Sequence, residues 1–252
     1  MEPTWLPVLW LFGSLGLLIF ANRWFDRHLW NLAYLLSRDE AVADFVHFAV
    51  LLPGVVLHEA SHWASARLLG LQVGRLELWP QAQKDGLRLG SVQVQQADPL
   101  RGSLVGVAPL VVGSAVLLAV GWHAFSLGAF LEALAQGDVG ALWAAARAAA
   151  GTRDLWLWAY LVFAVANAML PSPADRQAWR PLFLYAALLA GGYWLLGGPL
   201  PAVPAPTWKA LAGALAHLAA AFNLALAVDL AFGALLFGAE VALSFLAAPR
   251  QA

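Results

Sequence analysis

The sequence predicts an all-α integral membrane protein of about six transmembrane helices, with a small β-hairpin inserted after the second. Three observations lead there. Of the 252 residues 62% are hydrophobic and only 12% charged, and the mean hydropathy is +0.70, well beyond what a soluble core of this size requires. Six apolar stretches approach or exceed the roughly 20 residues that cross a bilayer. Many of the 13 Trp stand near stretch ends (Trp5, Trp24, Trp30, Trp122, Trp156, Trp158, Trp194, Trp208), where aromatic belts form at membrane–water interfaces. A single membrane-embedded domain over residues 1–252 is expected, with its core at about 45–196.

The first stretch, Trp5 to Trp24, follows an N-terminus that lacks the cationic region and small-residue cleavage site of a signal peptide, so it reads as a retained membrane helix. The second is Phe45 to Leu69. After it comes a polar insert, Gln72 to Arg101. Within it Leu76 and Leu78, then Leu87, Leu89, Val92 and Val94, alternate with polar residues on either side of Asp85-Gly86, a hairpin signature. The third stretch is Leu104 to Trp122. The Ala-rich segment Phe125 to Gly151, with Glu132, Asp138 and Arg147, predicts an interfacial helix, and Asp154 predicts the N-cap of the next one. The fourth and fifth stretches, Leu155 to Leu170 and Pro181 to Leu196, are short and flank the break Pro171-Ser172-Pro173. Pro199 to Pro206 predicts a stiff loop. The last stretch, Ala210 to Leu246, suits a tilted helix or a helix with a re-entrant piece.

Composition also excludes functions. The net charge is −1 and no block of like charge occurs, which argues against a nucleic-acid partner. Without Cys there is no disulfide, no Cys-type metal site and no thiol nucleophile, so metal ligands must be His, Asp or Glu. The 12 Arg against 2 Lys, with 2 Met, point to a GC-rich bacterial source and hence a bacterial cell membrane.

The strongest chemical signal is His58-Glu59-Ala60-Ser61-His62, an H-E-x-x-H motif inside the second stretch. Residues four apart share a helical face, so both imidazoles can reach one zinc ion, and Glu59 can act on a water beside it. Multiplying residue frequencies gives such a pattern by chance in about 0.3% of sequences of this composition. His58 lies about 13 residues, or roughly 20 Å, into its helix. Ionisable groups at that depth need a metal, a partner or water to compensate them. A catalytic zinc takes three protein ligands, and the third could be Asp175, Asp229, Glu240, His217, His123 or His47. Asp175 stands out because it follows Asn167 and the proline break, where a helix must be interrupted.

The segment Asn167-Ala168-Met169-Leu170-Pro171-Ser172-Pro173-Ala174-Asp175 resembles the second signature of the site-2 protease family of intramembrane zinc metalloproteases, which joins an Asn, a Pro-containing turn and a zinc-binding Asp. Gly106-Val107-Ala108-Pro109 is similar to another family element, and the insert sits where members carry a hairpin. The resemblance covers about Phe45 to Leu196. Arg176 stands where the family usually has Gly, and Pro171 falls one place after the usual proline, which marks a compact, divergent branch. The resemblance implies Asp175 as third ligand, Asn167 as a substrate- or oxyanion-supporting group, and transmembrane proteins as substrates, with lipid as the surrounding partner. The rival expectations are Glu240 as third ligand, or a non-catalytic zinc-binding scaffold or transporter. Asn223, His217, Asp229 and Glu240 are expected to serve structure or water access, and His28 and His47 to need no special role.

Overall fold

The structure, a computed structural model, describes residues 6–79, 81–83, 86–88, 90–95, 97–177, 179–197 and 204–247. The expected turn residue Asp85 and residues 199–203 of the expected stiff loop lie outside the described residues, as do Met1 to Trp5.

Helix α1 (Leu6–Ser37) continues well beyond the apolar stretch that ends at Trp24. The polar residues there do not end the helix because neighbouring helices satisfy them. Asp26 Oδ1 lies 3.2 Å from His47 Nε2, Trp30 Nε1 donates to Asp44 Oδ1 at 2.8 Å, and His28 Nδ1 meets Glu240 Oε2 at 2.5 Å. Two residues later α2 (Glu40–Leu68) opens on an Asp39 cap that accepts from the Ala41 and Val42 amides.

The insert folds as expected into a narrow antiparallel hairpin. Strand β1 (Val73–Glu77) pairs with β4 (Ser91–Val94) in the register Leu76 to Val92, and β2 (Gln81–Gln83) pairs with β3 (Gly86–Arg88) in the register Ala82 to Leu87. Trp79 leans on Phe45 and Phe48 of α2, at ring-centre distances of 6.4 and 6.1 Å.

Helix α3 (Pro99–Ala124) starts at Asp98, whose carboxylate accepts from the Leu100 and Arg101 amides. The Arg101 N–H bond, helped by the Arg101 charge, holds the Asp98 carboxyl below its usual range despite some desolvation. The Ala-rich segment forms two helices where one was expected, α4 (Leu127–Gln136) and α5 (Val139–Ala150), because Gly137 at φ 66° caps the first and Asp138 starts the second. Asp154 occupies the N-cap position of α6 (Leu155–Ala168) but adopts φ 59° and makes no side-chain cap bond, so the expected capping role is corrected: only its backbone carbonyl starts the helix.

The chain then breaks, forms the short α7 (Pro173–Gln177) and α8 (Trp179–Leu195), and returns as the continuous 43-residue α9 (Ala205–Ala247). Leu18, Phe48, Leu117, Phe163 and Phe222 share the buried core where α1, α2, α3, α6 and α9 meet. Phe12, Val111, Leu189 and Leu230 face outward with more than half their surface exposed, as side chains do where the solvent is lipid.

Among the described residues four helices are long and apolar enough to cross a membrane: Val8–Ser37, Glu40–Leu68, Pro99–Ala124 and Pro206–Leu243. α6 together with Pro173–Leu195, bent by 44° at the break, would make a fifth. Six are expected from sequence, but the 14 residues of α6 reach only about 21 Å, less than the roughly 30 Å of hydrocarbon.

Candidate metal centre

Two helical segments, α2 and α7, bring His58, His62 and Asp175 together, with one ligand atom from each within 4.8 Å of the others. His62 Nε2 lies 3.1 Å from His58 Nε2 and 3.1 Å from Asp175 Oδ1, and His58 Nε2 lies 3.7 Å from Asp175 Oδ2. A tetrahedral ion with bonds of about 2.0–2.1 Å sets its donor atoms about 3.3 Å apart. The spacing fits such an ion.

The rings are oriented from behind by backbone carbonyls. His58 Nδ1 is 2.7 Å from the Ala168 carbonyl and His62 Nδ1 is 2.9 Å from the Val105 carbonyl. A carbonyl only accepts, so each Nδ1 carries a hydrogen and Nε2 is the ring atom turned toward the cluster. Both Nε2 atoms and the Asp175 carboxylate then face one another, a set of donors that one cation between them could bind. The two carbonyls are available for structural reasons. Pro109 has no N–H for the carbonyl four residues before it, Val105, and Ala168 ends α6, where carbonyls lack helical partners.

Close backbone approach sets these contacts. A Cβ on Gly54 would run into the Ala164 carbonyl and lie 2.7 Å from Ala168 Cβ, so glycine lets α2 touch α6 one turn before His58 meets Ala168. On α3, a Cβ on Gly106 would lie 2.8 Å from the Asp175 carbonyl, and one on Gly113 would lie 2.5 Å from Met169 Cβ. Both glycines therefore make room for the broken segment after α6.

Asp175 is aimed by a reciprocal cap. The Ser172 amide donates to Asp175 Oδ2 at 2.7 Å, and the Asp175 amide donates to Ser172 Oγ at 3.2 Å, with Pro173 between them at the first helical position. One carboxylate oxygen is thereby anchored and Oδ1 is left to the cluster. Glu59 is buried beside it, 9% exposed. The hairpin reaches this group: a Cβ on Gly90 would lie 2.9 Å from Glu59 Cγ and 3.2 Å from Oε1.

The remaining candidates are placed elsewhere. His47 pairs with Asp26, Glu240 with His28, His123 lies edge-on to Trp158, and His217 Nδ1 donates to the Gly213 carbonyl at 2.7 Å. Asn223 donates to Ser14 Oγ at 2.9 Å. Asp229 is 1% exposed and its Oδ1 accepts from Asn167 Nδ2 at 2.9 Å. Asn167 also donates to the Phe163 carbonyl at 3.0 Å, so both its amide hydrogens are engaged away from the cluster. Sequence reading missed Val105, Ala168, Ser172 and Gly90. A proline four residues after a carbonyl, and a Ser three residues before a candidate Asp, are signals that would have found two of them.

No protein-family model, curated protein or solved structure matches this chain.

Proposed function

We propose that this chain is a multi-pass membrane zinc endopeptidase that hydrolyses peptide bonds in or near transmembrane segments of other proteins. The observation that carries the proposal is the convergence of His58, His62 and Asp175 beside buried Glu59, on helices apolar enough to cross a bilayer. Two imidazoles and a carboxylate, without any Cys, make a donor set suited to zinc with a position left for water. Zinc held there would polarise a peptide carbonyl and acidify a water.

The chain supplies the rest. Glu59 takes the proton of the attacking water as the water oxygen bonds to the peptide carbon, and hands a proton to the nitrogen as the C–N bond breaks. A transmembrane substrate hides its peptide bonds in helical hydrogen bonds, so it has to unwind before attack. Among the described residues β1 and β4 pair as a two-stranded ladder, to whose outer edge an extended segment can add. Gly90 puts that hairpin against Glu59, so the strand-binding edge and the base are neighbours.

The test measures zinc by elemental analysis, and cleavage of single-span membrane proteins, for the wild type and for His62→Ala, Asp175→Ala and Glu59→Gln. About one zinc per chain is expected, lost in the two ligand variants and kept in Glu59→Gln, which should cleave nothing. A folded wild type without zinc would overturn the reading. Zinc bound, with no cleavage by the wild type beyond that seen with Glu59→Gln, would leave a zinc-binding scaffold or transporter.

A further inference from the structure

Asn167, Asp229 and Asn22 are polar groups that the proposed chemistry does not use, and they meet at the end of α6. Asn22 Nδ2 on α1 donates to the Asn167 carbonyl at 2.7 Å and approaches Asn167 Oδ1 at 3.4 Å. Asn167 Nδ2 in turn donates to Asp229 Oδ1 on α9 at 2.9 Å. We infer that Asn22, Asn167 and Asp229 form a positioning cluster for the metal centre, holding the last turn of α6 so that Ala168 presents its carbonyl to His58.

The argument rests on the proposed metal site and on the weakness of a helix end. The last carbonyls of α6 have no helical partner, and two prolines follow within five residues of Ala168. Nothing local fixes the direction of the Ala168 carbonyl. The turn is instead clamped from both sides at Asn167, by α1 through its carbonyl and by α9 through its side chain. The next carbonyl along is the 2.7 Å partner of His58 Nδ1. Outer partners of metal-bound imidazoles fix ring direction and tautomer in this way.

Burial sets these groups apart from ordinary interhelical polar pairs. Asp229 is 1% and Asn167 7% exposed, and a carboxyl group deep in an apolar helix is retained at a cost. Its Oδ2 has no hydrogen-bond partner among the described residues. The position therefore needs one acceptor, at Oδ1, and an amide would serve as well. The same contacts reassign Asn167: with both amide hydrogens engaged, it acts through His58 as a positioning residue.

The test is zinc affinity of the detergent-purified full chain, read by chelator competition. Asp229→Leu and Asn167→Ala should each weaken binding by about 10- to 100-fold, while Asp229→Asn, which keeps the acceptor, stays within about threefold of wild type. Asn223→Ala removes another hydrogen bond at the α1–α9 contact, to Ser14, and should also stay within about threefold. Should the leucine variant fail to fold, Asn22→Ala is the milder probe and should weaken binding in the same direction. Equal affinity in Asp229→Leu or Asn22→Ala, or an equal loss in Asn223→Ala, would overturn the inference while the metal-centre reading stands. A wild type without zinc would overturn both.

Discussion

Pro109 lacks the amide hydrogen that the Val105 carbonyl would otherwise accept, and His62 Nδ1 occupies that carbonyl at 2.9 Å. Pro109→Ala restores the helical donor, so two groups compete for one oxygen. The variant should melt at a higher temperature, because a proline inside a helix costs about 3 kcal/mol. It should bind zinc about tenfold more weakly, because His62 loses its orienting partner. Thermal unfolding and zinc titration of the same preparation check both signs, and unchanged zinc affinity would show that the carbonyl does not orient the ring. At this scale the H-E-x-x-H spacing was legible in sequence, since residues four apart on a helix share a face whatever surrounds them. The carbonyls behind the rings were not, because they lie 43 and 110 residues from the imidazoles they hold.

Helix packing is governed by a few places where backbones come close. Gly54 is one. Gly54→Ala puts a methyl group against the Ala164 carbonyl and Ala168 Cβ, and forcing α2 away from α6 should destabilise the fold by about 1–3 kcal/mol. It should also weaken zinc binding, because the shift parts His58 from Ala168. Denaturation and zinc titration would read the two effects, and a loss of stability with zinc binding intact would mean that the helices adjust independently of the ring. The start of α3 responds to acid instead. The Asp98 carboxyl is held below its ordinary range by the Arg101 amide, so its capping contribution is complete above the unfolded carboxylate pKa and is lost as pH falls through the lowered folded value. Hydrogen exchange at the Leu100 and Arg101 amides should therefore lose protection on acidification, and in Asp98→Asn the remaining protection should show no such step. Apolar length predicted where the helices lie. It did not predict that α1 runs on to Ser37, because the partners that satisfy Asp26, His28 and Trp30 sit on α2 and α9.

Among the described residues, four single helices and one bent pair are long and apolar enough to cross a bilayer. If the bent pair acts as one broken span, five crossings put the two ends of the chain on opposite sides. The absence of Cys makes this directly measurable, because any introduced thiol is the sole label site. Single Cys at Ser37 and Gln136 should react with an impermeant reagent from one side, and at Gln72 and Gly197 from the other. Gly197 reacting together with Gln136 would mean that α6 and α8 cross separately. At about 64 Å for its 43 residues, α9 is far longer than the hydrocarbon is thick, so it must tilt strongly or project from the membrane.

By itself the sequence indicated helices apolar enough for a membrane, the approximate order of helices and hairpin, and two imidazoles, with an acid beside them, that could hold a metal. All of these follow from hydropathy and from periodicities that are properties of neighbouring residues. Sequence already singled out Asp175 among the six candidate third ligands, and the tertiary structure brings it to His58 and His62; that Asn167 turns toward Asp229 only the tertiary structure decided. The reason is physical. Which carboxylate arrives at a metal, and which carbonyl stands behind a ring, depends on where helices touch and where prolines and helix ends leave backbone groups unpaired, and those relations join residues far apart in the chain.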